Sequence, residues 1–152
     1  MTVSPCSAEF FVYNKELYQF LVKNRAYCIQ NNCTQIASIA LEIEWVDPLV
    51  VFGKLAKSNK LNFYWENPSK KEAVAAIDSV TKLQTEGKER FVQAEKFVNY
   101  YIGKIVNFCN TNNYLTKPLF FCSFSFFEKK IQQDYPFSPA TIFLPKWQLT
   151  RR

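Results

Sequence analysis

Pro118-Leu-Phe-Phe-Cys-Ser-Phe-Ser-Phe-Phe127 and Ala140-Thr-Ile-Phe-Leu-Pro-Lys-Trp-Gln-Leu-Thr150 decide the fold of this chain. Both are rich in aromatic and β-branched residues, without helical spacing, and Tyr135-Pro-Phe-Ser-Pro139 between them reads as a loop. They therefore predict a closing, hairpin-like pair of strands. Only Arg151 and Arg152 follow. The expectation is an unpaired sheet edge or a poorly covered aromatic face, open to pairing with another chain.

Working back from that pair, Lys88 to Phe108 predicts a helix, because Phe91, Ala94, Phe97, Val98, Tyr101, Ile102, Ile105 and Val106 share one apolar face. Ser69 to Gln84 is ambiguous. Ser69-Lys-Lys-Glu72 fits a capping box and the alanines favour helix, yet Val74, Ala76, Asp78, Val80 and Lys82 also form one row of an alternating strand. Leu61 to Glu66 predicts a strand with Leu61, Phe63 and Trp65 on one face. Asp47-Pro48 predicts a helix start, with a short helix to Lys57 burying Val51, Phe52 and Leu55. Thr34 to Trp45 alternates, with Ile39, Leu41, Ile43 and Trp45 facing one way, and Asn14 to Gln30 predicts a helix with Leu17, Phe20, Leu21 and Cys28 on its stripe. Helices and strands mix without strict alternation. The fold class is α+β, a mainly antiparallel sheet packed with helices in a single domain, 1–152.

Composition narrows the chemistry. The 152 residues are 48% hydrophobic and 17% aromatic, enough apolar material for a core. There is no histidine, so Ser–His and Cys–His nucleophilic pairs are excluded, as is the commonest metal ligand. The three glycines are dispersed and cannot build a phosphate-cradling loop. No stretch is apolar for long enough to span a bilayer and no secretory leader is visible, so a cytoplasmic location without membrane association is expected. The five cysteines are an odd number at irregular spacing. Cys28 and Cys33 have no second pair to complete a zinc site, and all five read as buried free thiols. The net charge of +6 comes from scattered residues, which read as solvated surface rather than a nucleic-acid interface.

Three constellations could carry chemistry. Glu42 and Glu44 share one side of a strand but have no third ligand nearby. The rows Phe120/Cys122/Phe124/Phe126 and Phe121/Ser123/Ser125/Phe127 could stack bases, but read as two packed sheet faces. Lys146, beside Pro145 in an edge strand, reads as surface. No catalytic, cofactor-binding or metal residue is assigned.

Taken in order, Asn62-Phe-Tyr-Trp-Glu-Asn-Pro-Ser69, Glu72-Ala-Val-Ala-Ala-Ile-Asp-Ser-Val80, Gly87-Lys-Glu-Arg-Phe91, Leu119-Phe-Phe-Cys-Ser-Phe-Ser-Phe-Phe127 and Phe143-Leu-Pro-Lys-Trp-Gln-Leu-Thr-Arg151 resemble the N-terminal part of isochorismate synthases. These are chorismate-utilising enzymes related to anthranilate synthase large subunits and salicylate synthases. The resemblance implies a strand at Val74–Leu83. It also implies the magnesium-dependent isomerisation of chorismate to isochorismate, feeding menaquinone or phylloquinone synthesis. In that family a lysine in a Lys-Val-Val-Leu strand activates water, a glutamate protonates the departing hydroxyl, and further glutamates hold magnesium. No Lys-Val-Val-Leu stretch occurs here. The resemblance therefore implies an incomplete N-terminal portion of the chorismate-utilising fold, inactive by itself and holding no magnesium. Its partner would be a separately encoded C-terminal catalytic half. The alternative is a non-enzymatic module that binds protein or single-stranded nucleic acid.

Overall fold

The computed structural model describes residues 8–109, 117–130 and 138–151, with side chains from Lys15 onward. The chain divides into two compact units, Met1–Glu42 with Ile102–Lys117, and Ile43–Tyr101 with Pro118–Arg152.

In the first unit, helix α1 (Ala8–Gln30) leads to strand β1 (Ile36–Ala40), which pairs in parallel with β4 (Ile105–Cys109). Phe20 on α1 meets Phe108 on β4 with ring centroids 5.3 Å apart. Helix α1 ends in a Schellman turn. Asn32 adopts a left-handed φ of 47°, its N–H reaches Ile29 O at 3.4 Å, and the Cys33 N–H reaches Cys28 O at 3.0 Å. Asparagine tolerates this conformation better than most residues, which makes it a helix stop.

Strand β4 is a correction to the long helix expected over Lys88 to Phe108. Helix α3 covers only Arg90–Ile102, a turn follows at Gly103 and Lys104, and Ile105 and Val106 lie in the strand. The apolar spacing ran on past the break, while glycine and then β-branched residues favour ending the helix. Strand β1 is also shorter than expected. Ile36, Ser38 and Ala40 form its better-covered row, whereas Ile39, Leu41, Ile43 and Trp45 are exposed, Trp45 by 76%.

The second unit is a four-stranded antiparallel sheet in the order β2-β3-β6-β5, comprising Asn62–Asn67, Glu72–Thr85, Ala140–Arg151 and Phe121–Phe124. The ambiguous stretch is thus the long strand β3, as the resemblance implied and helix propensity did not. Its alanines are selected for size: Ala73, Ala75 and Ala76 are fully buried where β3 lies between β2 and β6. A strand covered on both faces gains more from small, well-packed side chains than it loses in intrinsic propensity. The expected capping box is instead a single 3-10 turn, Pro68–Lys70, capped by Asn67 and ended by Lys71 at a φ of 59°.

Helix α2 (Pro48–Leu55) starts as its sequence indicates, with Asp47 Oδ1 accepting from the Leu49 N–H at 2.9 Å. Pro48 is fully buried and Phe52 meets Tyr64 at 5.6 Å, but Leu55 is exposed rather than buried. Phe63 and Trp65 lie on the more exposed row of β2, although Phe63 meets the Phe121 ring at 4.9 Å. The main core lies where α3 crosses the sheet: Ala94, Ala140 and Ile142, with Leu83, Phe97, Val98 and Phe120 packed around them.

The closing pair forms, but β6 is no edge strand. It lies between β3 and β5, and β5 is only four residues long, so among the described residues β2 and β5 are the edges. Past Phe143 the side of β6 away from β3 has no strand partner among the described residues. Phe126, past the end of β5, is 92% exposed, and Phe124, Phe127 and Trp147 are also exposed. The expected loop over Tyr135–Pro139 falls mostly on residues 131–137, outside the described residues.

The sheet bends at a bulge. Pairing of β3 with β6 shifts register between Ser79 and Thr81, Asp78 has a left-handed φ of 57°, and Pro145 stands opposite Ser79. A proline without an N–H fits where ladder pairing is already broken. The Ser79 N–H donates to Asp78 Oδ1 at 2.8 Å and Lys60 Nζ lies 3.5 Å from the same carboxylate. The Ser79 N–H above all, and then Lys60, hold the Asp78 carboxyl below its ordinary value. A depressed carboxyl stabilises the fold above its unfolded-state value of about 3.9 and loses that contribution as pH falls through the lower folded value. The stability difference between wild type and Asp78→Asn should therefore be constant from about pH 7 to pH 5 and shrink below about pH 4. Urea midpoints measured across that range check it. Asp78→Ala, which also strains the left-handed backbone, should fall below Asp78→Asn at every pH.

Candidate functional site

The most unusual chemical environment in the second unit is the first turn of α3. Gly87 takes a φ of 89° and donates its N–H to Glu128 O at 2.6 Å. Its carbonyl then accepts from the Arg90 N–H at 3.3 Å and from Arg90 Nη1 at 3.1 Å. Only glycine adopts that backbone without strain, so Gly87 turns its carbonyl back onto the helix it precedes. Arg90 is 6% exposed, the one buried charged side chain among the described residues. Its guanidinium carbon lies 4.4 Å from the Phe91 ring centroid, and Phe91 in turn meets Phe124 at 4.9 Å. Arg90 Nε is buried without a hydrogen-bond partner. The glycine, arginine and phenylalanine of Gly87-Lys-Glu-Arg-Phe91 thus act together as a lock between α3 and β5. The burial of Arg90 was missed from sequence, where a lone arginine at a helix start reads as surface.

A second group of polar contacts joins β2, β3 and β6. Arg151 Nη2 contacts Glu66 Oε1 at 2.7 Å and Arg151 Nε donates to Lys71 O at 3.0 Å, tying the end of β6 to the β2–β3 turn. The Tyr64 hydroxyl donates to Glu66 Oε2 at 2.8 Å. Burial, then the bond and charge of Glu66, push that phenol up from its ordinary value. It is a structural donor and poorly suited to act as a base at neutral pH.

None of the three sequence constellations assembles into a site. Glu42 and Glu44 lie past the end of β1, exposed and off any strand. The aromatic rows do not present a free platform at Phe121, which meets Phe63 at 4.9 Å and stacks on Phe143 at 5.6 Å. Those rings are consumed by one another across the bent sheet. Lys146 is exposed, on the part of β6 that, among the described residues, pairs with β3 alone. The thiols correct a further expectation: Cys33, Cys109 and Cys122 are exposed and Cys28 is half-buried, while Cys6 lies outside the described residues.

Among the described residues no three Cys, Asp or Glu side chains converge as a metal site. No helix among the described residues is long and apolar enough to cross a membrane. Comparison with known proteins matched the family described as chorismate binding enzyme over residues 22–152. No curated protein and no solved structure matched the chain.

Proposed function

The chain belongs to the chorismate-binding enzyme family, and on that premise we propose that it serves isochorismate synthesis as a scaffold rather than as the carrier of the catalytic groups. The observation that carries this reading is the ordered motif set. Asn62–Ser69, Glu72–Val80, Gly87–Phe91, Leu119–Phe127 and Phe143–Arg151 all lie inside the matched residues and in the second unit. Asn67 caps the turn between β2 and β3, Asp78 makes the bulge, Gly87 and Arg90 lock α3, and Arg151 ties β6 to β2. The motifs specify architecture.

In this reading the water-activating lysine and the acidic residues that bind magnesium belong to a catalytic half encoded separately. The product is isochorismate for quinone synthesis. Chorismate and magnesium supplied to the full 152-residue chain should give no isochorismate. Adding the separately expressed catalytic half of an isochorismate synthase should give a stable complex and turnover. Isochorismate from the chain alone would sink the scaffold assignment, and a mixture that neither co-purifies nor turns over would sink the complementation.

A further inference from the structure

We propose that Cys28 and Cys33 form a reversible dithiol–disulfide couple, closed by peroxide and reopened by a small dithiol, that clamps the C-terminal end of α1. The inference rests on the turn described above and is independent of the chorismate reading. In a Schellman turn the third residue from the helix end and the second residue beyond the cap meet side by side, usually as an apolar contact. Here both positions are cysteine. The 3.0 Å hydrogen bond from the Cys33 N–H to Cys28 O keeps the two Cα atoms within the roughly 7 Å that a disulfide can span. The Cys28 thiol lies close enough to act on the Cys33 thiol. Cys28 Sγ also donates to Gln35 Oε1 at 3.5 Å, and Gln35 sits directly before β1.

Access is asymmetric in the way such a couple needs. Cys33 is exposed and Cys28 half-buried behind it, so Cys33 meets the oxidant and Cys28 resolves. Desolvation, then the contact with Cys28, push the Cys33 thiol up, with Lys104 opposing. The thiolate is the nucleophile, so oxidation should accelerate as pH rises. The Cys33 thiolate attacks one peroxide oxygen; the S–O bond forms, the O–O bond breaks and hydroxide leaves, giving the sulfenic acid. Cys28 sulfur then attacks the sulfenic sulfur, the S–S bond forms, and the departing hydroxyl takes the Cys28 proton and leaves as water. Two thiols lose two electrons and one peroxide becomes two waters once the hydroxide is protonated. The other described cysteines are placed apart from this pair in sequence and register, Cys109 at the far end of β4 opposite Ala40, and Cys122 in β5.

The test treats the full chain with hydrogen peroxide, alkylates it after denaturation and maps the peptides by mass spectrometry. A Cys28–Cys33 linkage that dithiothreitol reverses is expected. In Cys28→Ser, Cys33 should instead stop at a sulfenic acid that dimedone captures. The geometry has its own control at Asn32. Asn32→Gly, at ease with positive φ, should keep the closure rate within about two-fold, whereas Asn32→Val should slow it about ten-fold. Independent alkylation of Cys28 and Cys33 after peroxide, linkage distributed over all five cysteines, or equal rates in the two Asn32 variants would overturn the proposal.

Discussion

Ile142→Ala should lower the free energy of unfolding by about 3 kcal/mol, within the 2–5 kcal/mol range of buried isoleucine truncations. Ile142 is fully buried, is paired on β6 with Leu83 of β3 and Cys122 of β5, and lies under α3 beside Ala94. The sheet holds it from both sides, so the backbone cannot collapse to refill the space, and the cavity adds to the lost transfer energy. In a chain of this length the loss amounts to a fall in Tm of about 10 °C. Urea unfolding should show a lower midpoint with an unchanged slope, the sign of altered stability rather than an altered denatured state. Phe126→Ala, on a ring 92% exposed, should stay within about 0.5 kcal/mol of wild type despite removing a larger side chain. A loss below about 1 kcal/mol at Ile142 would mean that α3 does not cover this position.

Arg90→Ala should cost about 2 kcal/mol, and Arg90→Met less than about 1 kcal/mol. The stem of the side chain and its charge contribute separately. The stem fills the space between α3 and the Gly87 turn, and its guanidinium lies against Phe91 and donates to Gly87 O. Alanine removes all of this and leaves a void. Methionine keeps the volume and the aromatic contact while removing a charge placed unfavourably, in the first turn of a helix with Nε unsatisfied. Denaturation midpoints of the two variants decide it. Equal losses would show that the hydrogen bond and the cation, rather than packing, hold the turn together.

The contrast between these two positions shows how much was legible in advance. Ile142 belongs to a strand read from its aromatic and β-branched composition, and its place in a core was a modest further step. Arg90 belongs to a motif whose residues were visible but whose geometry was not. Nothing in Gly87-Lys-Glu-Arg-Phe91 says that the glycine turns its carbonyl onto the arginine. Strand β3 shows the two kinds of sequence signal in conflict. Its alanines and an apparent capping box favoured helix, while its likeness to isochorismate synthases favoured strand. The likeness prevailed because those alanines are small for a reason that lies on β2 and β6. Helix α3 failed in the opposite way. Periodicity alone carried the helix through Gly103, where backbone freedom and the β-branched Ile105 and Val106 argued for a break.

What the residues determined by themselves was most of the elements, though not β4, together with the α+β class, the exclusion of histidine chemistry and, through the order of short motifs, the family. Alternation at Ile39 or at Phe63 and Trp65 shows that a strand has two faces. It does not show which face loses its water, because that depends on segments distant in the chain. Tertiary structure alone set Ile39, Phe63 and Trp65 on the more exposed rows, gave the closing strand a second partner over Ala140 to Phe143, and buried Arg90. At the Schellman turn the decision was local but still geometric: four intervening residues, with Asn32 in a left-handed conformation, set two thiols side by side. The aromatic pair of segments from which the fold was first read did become a strand pair. Its place in the sheet came from β3, whose fourteen residues provide the ladder that β6 joins.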